Sequence, residues 1–171
     1  YKGKKVSVQL LTNVRSGNCT QNCAYCAQSK DSQAEIEKYK RVSDEKLYGD
    51  NDLVDEKHLA RHCIGLSGIG FSDEEIEDLA DRIREMKKKD TQICCSIGFL
   101  TEKQARILKD AGLDRINHNL NSSRSFYPEI CTTHTYDQRV NNIKMLQSLG
   151  FEICSGGIVG MGESKEDIVD M

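Results

Sequence analysis

The sequence predicts an α/β protein in which parallel strands alternate with helices. Short apolar runs recur along the chain, and most are followed by a longer stretch whose apolar residues have helical spacing. Three of these helical stretches begin at serine or threonine caps, and two of the stretches end at glycine. Strand–helix alternation of this kind gives right-handed βαβ units and a parallel sheet. With 171 residues, the chain has the length of one domain with a sizeable core.

Five apolar runs are the predicted strands. They cover residues 6–11, 62–67, 92–98, 114–121 and 152–160. Five repeats fit either an α/β barrel or a doubly wound sheet, and a closed barrel needs more strands than these. Since the sequence stops inside a helix, we expect a single domain over residues 1–171 that is truncated at its C-terminus. The first residues run directly into a strand, which leaves a trimmed N-terminus open as well.

The predicted helices follow the strands in order. A segment ending near residue 59 is predicted to be a helix or a broken helix. The break is expected because Gly and three short polar residues at 48–52 lower the helix propensity. The next helix starts at a capping box formed by Ser72 and Glu75. Another is capped by Thr101 with Gln104, and a third covers residues 137–149. A last helix begins at Ser164.

Composition limits the classes of partner. Lys and Arg total 24 and Asp and Glu total 27, a near balance that argues against nucleic acid as the main partner. Mean hydropathy is −0.58, and the sequence contains neither a long apolar run nor a secretory signal. We therefore expect a cytoplasmic protein without a membrane segment. Eight cysteines in such a chain favour metal or catalytic thiols over disulfides.

Three of the cysteines form a cluster in NCTQNCAYCAQ, residues 18–28. Cys19, Cys23 and Cys26 have the spacing C-x3-C-x2-C. Zinc sites usually use two Cys or His pairs, and here the second pair is missing. Three thiolates suit a [4Fe–4S] cluster with one iron left open for a substrate or cofactor. Buried cysteines acting as small apolar residues would account for one or two of the eight, but not for this triplet.

Strand alternation predicts which side chains face inward. Cys94 and Cys95 point in opposite directions, with Cys95 on the apolar face. In the fourth strand, one face carries three asparagines and the other carries Ile116, His118 and Leu120. An interior lined by Asn, Gly and Cys indicates a cofactor cavity, since buried amides without partners are costly. An edge strand with a solvated polar face remains the alternative. The residues predicted to face inward are Cys63, Cys94, Asn117, Asn119, Asn121, Cys154 and Ile158.

The cysteine triplet, with the aromatic Tyr25 before its last member, resembles the motif of the radical S-adenosylmethionine (SAM) superfamily. Five blocks of sequence, in order and including the one that carries the triplet, resemble the biotin synthase family within it. They are SGNCTQNCAYCAQS, RHCIGLSGIGFS, NHNLNSS, FYPEICTTHTYDQR and CSGGIVGMGES. This resemblance covers essentially the whole chain. It implies an incomplete TIM-type barrel, of which about five strands are present.

The resemblance also implies the site residues. Cys19, Cys23 and Cys26 would bind the [4Fe–4S] cluster. Cys63, Cys94 and Cys154 would bind an auxiliary cluster, expected to be [2Fe–2S], with Arg61 beside it. The residues expected to contact SAM are Tyr25, Asn119, Asn121, Arg139 and Ile158. Asn117 and Asn119 would contact the substrate. An Asp stands in place of Asn121 in some family members, and the family's arginine ligand to the auxiliary cluster comes from a later strand.

The implied reaction inserts sulfur into dethiobiotin after 5′-deoxyadenosyl radicals abstract hydrogen. The implied partners are dethiobiotin and an electron donor such as flavodoxin or ferredoxin, and the full-length enzyme would be a homodimer. No nucleic acid or membrane partner is expected, and the segment alone is expected to be inactive. Two alternatives stay open. One is a non-catalytic iron–sulfur-binding fragment, and the other is a different radical SAM enzyme, such as a hydrogenase maturase.

Overall fold

A computed structural model describes residue 3 and residues 6–171, and it contains one parallel five-stranded sheet. The strands are adjacent in chain order, and every neighbouring pair is parallel. This confirms the predicted α/β class. The strands are β1 (Leu10–Arg15), β2 (His62–Leu66), β3 (Ile93–Ser96), β4 (Arg115–Asn117) and β5 (Glu152–Cys154). The predicted domain begins at residue 1, and residues 1, 2, 4 and 5 lie outside the described part.

Helices connect the strands and cover one face of the sheet. They are α1 (Asp44–Glu56), α2 (Asp73–Met86), α3 (Glu102–Asp110), α4 (Tyr127–Ile130), α5 (Tyr136–Ser148) and α6 (Lys165–Asp170). The predicted caps at Ser72, Thr101 and Ser164 are confirmed, each as a complete capping box. The short helix α4, which carries a proline in its first turn, was not predicted. In the described part of the chain, no helix has the length and apolar character needed to cross a membrane.

The first strand lies four residues later than predicted. Residues 6–11 carry the apolar alternation, yet Val6 is 86% exposed. The ladder with β2 begins at Leu10 and reaches Arg15, with an irregularity between Asn13 and Arg15. The side chains of Thr12 and Val14 are buried on the helix-facing side. Pairing with β2 therefore determines where this strand lies. The apolar pattern did not predict it because residues 12–15 are mostly polar.

The fourth and fifth strands are shorter than predicted. Their ladder ends at Asn117 and Cys154, so residues 118–121 and 155–160 are loops. The two loops still run together, because the Asn121 amide donates to the Gly156 carbonyl at 2.9 Å. Asn121 has a φ of 70°, a left-handed conformation that asparagine tolerates better than most residues. Beyond the ladder, Asn121 therefore forms an isolated parallel bridge with Gly157.

Helix α1 is continuous through residues 48–52, despite their low propensity. Its buried side chains Asp50 and Asn51 face a polar network under the sheet. The Thr12 hydroxyl donates to Asp50 at 2.6 Å and lies 2.8 Å from His62 Nε2, while His62 Nδ1 lies 3.2 Å from Asn51 Oδ1. Asn51 also donates to the Met86 carbonyl at 3.1 Å. Tertiary contacts thus hold a helix that propensity alone would not favour.

We expect Asn51→Ala to lower the free energy of unfolding by about 1–3 kcal/mol, because it leaves buried polar groups of His62 and Met86 without their partner. Urea unfolding of the full-length protein measures this. The control is Asp55→Ala, an exposed site on the same helix. Equal, small losses in both variants would show that the network contributes nothing to stability.

Candidate functional site

A cavity of about 260 Å³ opens at the carboxyl ends of the first four strands. In parallel α/β folds this edge is where ligands bind. The walls come from the ends of β1, β2 and β3, from the segment after β4, and from the triplet loop, which we define as residues 16–29. The lining includes Asn13, Cys19, Cys23, Tyr25, Cys26, Gly65, Ser96, Gly98, Asn117, Asn119, Asn121, His134 and Arg139.

The triplet loop is fixed by backbone hydrogen bonds that bring its ends together. The Cys19 amide donates to the Gln28 carbonyl at 3.0 Å, and the Lys30 amide donates back to the Cys19 carbonyl at 2.9 Å. The Gln28 side chain accepts from the Gly17 amide and from the Ser16 hydroxyl. As a result, all three cysteines of the triplet line one cavity.

The triplet loop packs on a second segment, residues 127–134, which we call the docking segment. The Ala24 amide donates to the Ile130 carbonyl at 2.9 Å. The Asn22 side chain accepts from the Thr132 amide at 3.0 Å and donates to the Thr132 hydroxyl at 2.6 Å. It also accepts from the Thr133 hydroxyl at 3.1 Å. These contacts hold the triplet loop against a segment for which the sequence predicted no structural role.

Cys131 and His134 of the docking segment lie beside Cys23. The Cys23 Sγ lies 3.7 Å from the Cys131 Sγ, which lies 3.3 Å from the His134 Nδ1. Burial and the neighbouring Cys131 raise the pKa of Cys23 to about 11. Burial opposes ionisation of Cys131, but hydrogen bonds from Thr133 and His134 lower its pKa on balance. Sequence reasoning gave Cys131 no role and did not consider His134; the signal was the C-x2-H spacing in CTTH.

Arg139, on α5, connects the docking segment to the cavity. Its Nε donates to the Tyr127 hydroxyl at 2.6 Å and to the His134 Nε2 at 3.1 Å. Its Nη1 donates to the Asn119 carbonyl at 3.1 Å. The guanidinium lies over the Phe99 ring, 5.9 Å from its centroid. Arg139 therefore positions the chain after β4 as well as adding positive charge to the cavity.

The asparagines after β4 are placed as the alternation predicted. Asn117, Asn119 and Asn121 all line the cavity, although only Asn117 is still in the strand. His118 points the other way, is 2% exposed and packs against the Phe99 ring at 5.4 Å between centroids. Their roles in binding stay predictions.

The predicted auxiliary cysteines converge on the inward face of the sheet, below the cavity. Cys63 and Cys94 are register partners in β2 and β3. The Cys94 thiol hydrogen-bonds to Cys63 and, together with Arg61 and Arg115, lowers the Cys63 pKa to about 7. That contact, burial and the nearby Cys154 raise the pKa of Cys94. Cys95 is fully buried on the opposite face, as predicted. None of the three predicted ligands lines the cavity described above.

Ile158 is not among the residues that line the cavity either. Its amide donates to the Asn121 carbonyl at 2.8 Å, and its side chain is half-buried beside that loop. Its expected contact with adenine stays a prediction.

The donor set of the cavity fits an iron–sulfur cluster and a charged cofactor. Among the described lining residues, three are thiols and none is a carboxylate, so the site offers soft ligands rather than hard ones. Arg15 and Arg139 add positive charge, and several asparagine and glutamine amides can both donate and accept hydrogen bonds.

Three buried histidines make the iron-free chain sensitive to acid. Burial lowers the pKa of His62, His118 and His134 to about 4 from 6.5. Between these pKa values the unfolded chain binds protons that the folded chain does not. The contribution of these histidines to the free energy of unfolding is therefore complete above pH 6.5 and falls towards pH 4. Urea unfolding across this range should show the loss. His118→Phe should flatten the slope, because it removes one of the three buried imidazoles.

Comparison with known proteins agrees with this geometry. The family model described as "Radical SAM superfamily" matches residues 13–171. The biotin synthase of Bacillus subtilis (strain 168) is 41% identical over 172 residues, which span all of this chain and 51% of that protein. The biotin synthase of Magnetococcus marinus is 44% identical over 170 residues, which span 99% of this chain and 53% of that protein. The chain thus spans about half the length of these curated relatives.

Solved structures share the fold. Methylornithine synthase superposes with a TM-score of 0.84 at 15% identity, over 99% of this chain and 50% of that one. The FeFe-hydrogenase maturase HydG from Carboxydothermus hydrogenoformans gives a TM-score of 0.79 at 21% identity, over 94% of this chain and 38% of the other. The open five-stranded sheet therefore has the arrangement found in these enzymes. With the cysteine triplet at its carboxyl edge and a family match over residues 13–171, the chain belongs to the radical SAM superfamily.

Proposed function

We propose that this chain is part of a biotin synthase, an enzyme that inserts sulfur into dethiobiotin to form biotin. The observation that carries the proposal is the single cavity in which the three thiols of the triplet loop face the asparagines after β4. The sequence similarity of the chain to biotin synthases, at 40–44% identity, supports that reaction over others of the superfamily.

In this proposal Cys19, Cys23 and Cys26 hold a [4Fe–4S] cluster. When bound, the cluster supplies the electron and the open iron that reductive cleavage of SAM needs. Tyr25, Asn119, Asn121, Arg139 and Ile158 contact SAM. Asn117 and Asn119 contact dethiobiotin, so Asn119 lies between the two molecules. Its amide can donate to one and accept from the other, which would fix their separation.

Cys63, Cys94 and Cys154 would hold the auxiliary cluster that supplies sulfur, which we propose to be [2Fe–2S]. Their convergence on the inward face of the sheet supports this. The lowered pKa of Cys63 favours the thiolate form that metals bind. Arg61 and Arg115 would offset the negative charge of such a cluster.

The remaining parts of the proposal concern the whole protein. It would be a cytoplasmic homodimer, take electrons from a flavodoxin or ferredoxin, and need neither nucleic acid nor a membrane. Residues 1–171 would form one domain of it. A reducing compartment suits a protein whose cysteines must remain thiols.

The test is anaerobic assay of the full-length protein, loaded with iron and sulfide, with SAM, dethiobiotin and a reductant. We expect biotin and 5′-deoxyadenosine to form together. SAM cleavage without biotin would indicate a different radical SAM enzyme. Absence of both products, with the clusters loaded, would favour the non-catalytic alternative.

A further inference from the structure

Cys23, Cys131 and His134 form a second group of potential metal ligands. One ligand atom from each lies within 4.8 Å of the others, and all three residues are buried. We propose that, when the [4Fe–4S] cluster is absent, these residues bind a single thiophilic divalent ion such as Zn²⁺ or Fe²⁺. The proposal goes beyond the function above, and Cys23 is the one residue that both sites share.

The distances fit a tetrahedral ion. Zinc–sulfur bonds of about 2.3 Å at a tetrahedral angle place two sulfurs about 3.8 Å apart. The same geometry with a zinc–nitrogen bond of about 2.0 Å places sulfur and nitrogen about 3.5 Å apart. The observed separations are 3.7 Å between the sulfurs of Cys23 and Cys131 and 3.3 Å from Cys131 Sγ to His134 Nδ1. A hydrogen-bonded thiol pair also explains the first distance, and contacts of the imidazole with Gln21, Tyr127 and Arg139 help to place it, so the metal titration below decides between the two explanations.

The second ring nitrogen of His134 has the kind of hydrogen-bond partner that metal-binding histidines have. A metal-binding imidazole usually donates its second N–H to a fixed acceptor. The His134 Nε2 lies 2.9 Å from the Tyr127 hydroxyl, which Arg139 also contacts at 2.6 Å. On binding, both thiols lose their protons, and the imidazole carries its proton on Nε2, which donates to the Tyr127 hydroxyl while Arg139 Nε donates to that hydroxyl alone. The Nδ1 atom exchanges its contact with Gln21 Oε1, now 2.8 Å long, for the metal.

An ion can reach the group from two sides. Cys23 and His134 line the main cavity, while Cys131 and His134 line a second depression beside Tyr127 and Tyr136. The fourth ligand would come from solvent in the cavity. Because the ion takes Cys23, its binding and assembly of the [4Fe–4S] cluster exclude each other.

Co²⁺ is the probe, since tetrahedral thiolate coordination gives it intense visible absorbance. The background is the full-length protein, purified without iron, with Cys19→Ser, Cys26→Ser and Cys154→Ser. The three replaced side chains are half-buried. Their replacement disables both proposed cluster sites and leaves Cys23, Cys131 and His134 in place. We expect one equivalent of Co²⁺ with a tetrahedral spectrum. Adding Cys131→Ser or His134→Gln should weaken binding more than about tenfold. Adding Cys95→Ala, which removes a thiol elsewhere, should not.

An octahedral spectrum, or affinity unchanged in both variants, would overturn the proposal. If Cys131→Ser lowers the melting temperature, His134→Gln decides the question. In the native sequence, prior loading with Zn²⁺ should slow cluster assembly, and Cys131→Ser should remove that delay. Cluster assembly without Zn²⁺ is measured separately, so failure of the proposed function would be distinguishable from failure of this site.

Discussion

Replacing Cys19, Cys23 and Cys26 with alanine in the full-length enzyme is expected to abolish SAM cleavage. The three thiols line one cavity in a loop closed by backbone hydrogen bonds. Among the described residues of that cavity, no carboxylate can take their place. The bound iron should fall by about four atoms per chain, and 5′-deoxyadenosine formation should drop to the background rate.

The control for this loss is Cys95→Ala. It removes a buried thiol on the helix-facing side of the sheet, away from the cavity. It should lower the melting temperature while the iron content stays the same. SAM cleavage that persists in the triple variant would contradict the assignment of the triplet, and so would an unchanged iron content.

Asn119→Ala is expected to reduce turnover about a hundredfold, more than Asn117→Ala or His118→Ala. Hydrogen abstraction needs the reacting atoms held closely, and a displacement of about 1 Å can cost this much. Arg139 donates to the Asn119 carbonyl, so the backbone that carries the Asn119 side chain is held in place in the cavity wall. The measurements are 5′-deoxyadenosine formation and biotin formation, each with a melting temperature.

His118→Ala is the matched control from the neighbouring position. The side chain is buried against Phe99, so its loss should lower the melting temperature and have a smaller effect on turnover. The opposite result would contradict this assignment. It would be a loss of product formation in His118→Ala at an unchanged melting temperature, together with near-normal turnover in Asn119→Ala.

Local patterns predicted most of the fold. The capping residues Ser72, Thr101 and Ser164 specify helix starts through hydrogen bonds within a single turn, so sequence alone suffices. Alternation placed Cys94 and Cys95 correctly because a strand has a strict period of two. The asparagine side chains after β4 followed the same alternation beyond the end of the ladder.

Features that depend on distant residues were not predictable in this way. The start of β1 is set by pairing with β2, and the continuity of α1 is set by a network that includes Thr12 and His62. The contact of Cys131 with Cys23 joins positions 108 residues apart, which no local pattern reports. The resemblance to a family supplied expected ligands, but it gave no reason to connect Cys131 and His134 with the triplet loop.

The packing of the triplet loop on the docking segment also has a consequence for biosynthesis. The contact between Asn22 and Thr132 spans 110 positions, so the loop lacks its support until the ribosome has added them. At about 5–20 residues per second, that interval is on the order of ten seconds. During it the thiols belong to a nascent chain with few long-range contacts. Iron delivered then would meet an unsupported loop, so ordered cluster insertion is expected to follow release of the docking segment from the exit tunnel.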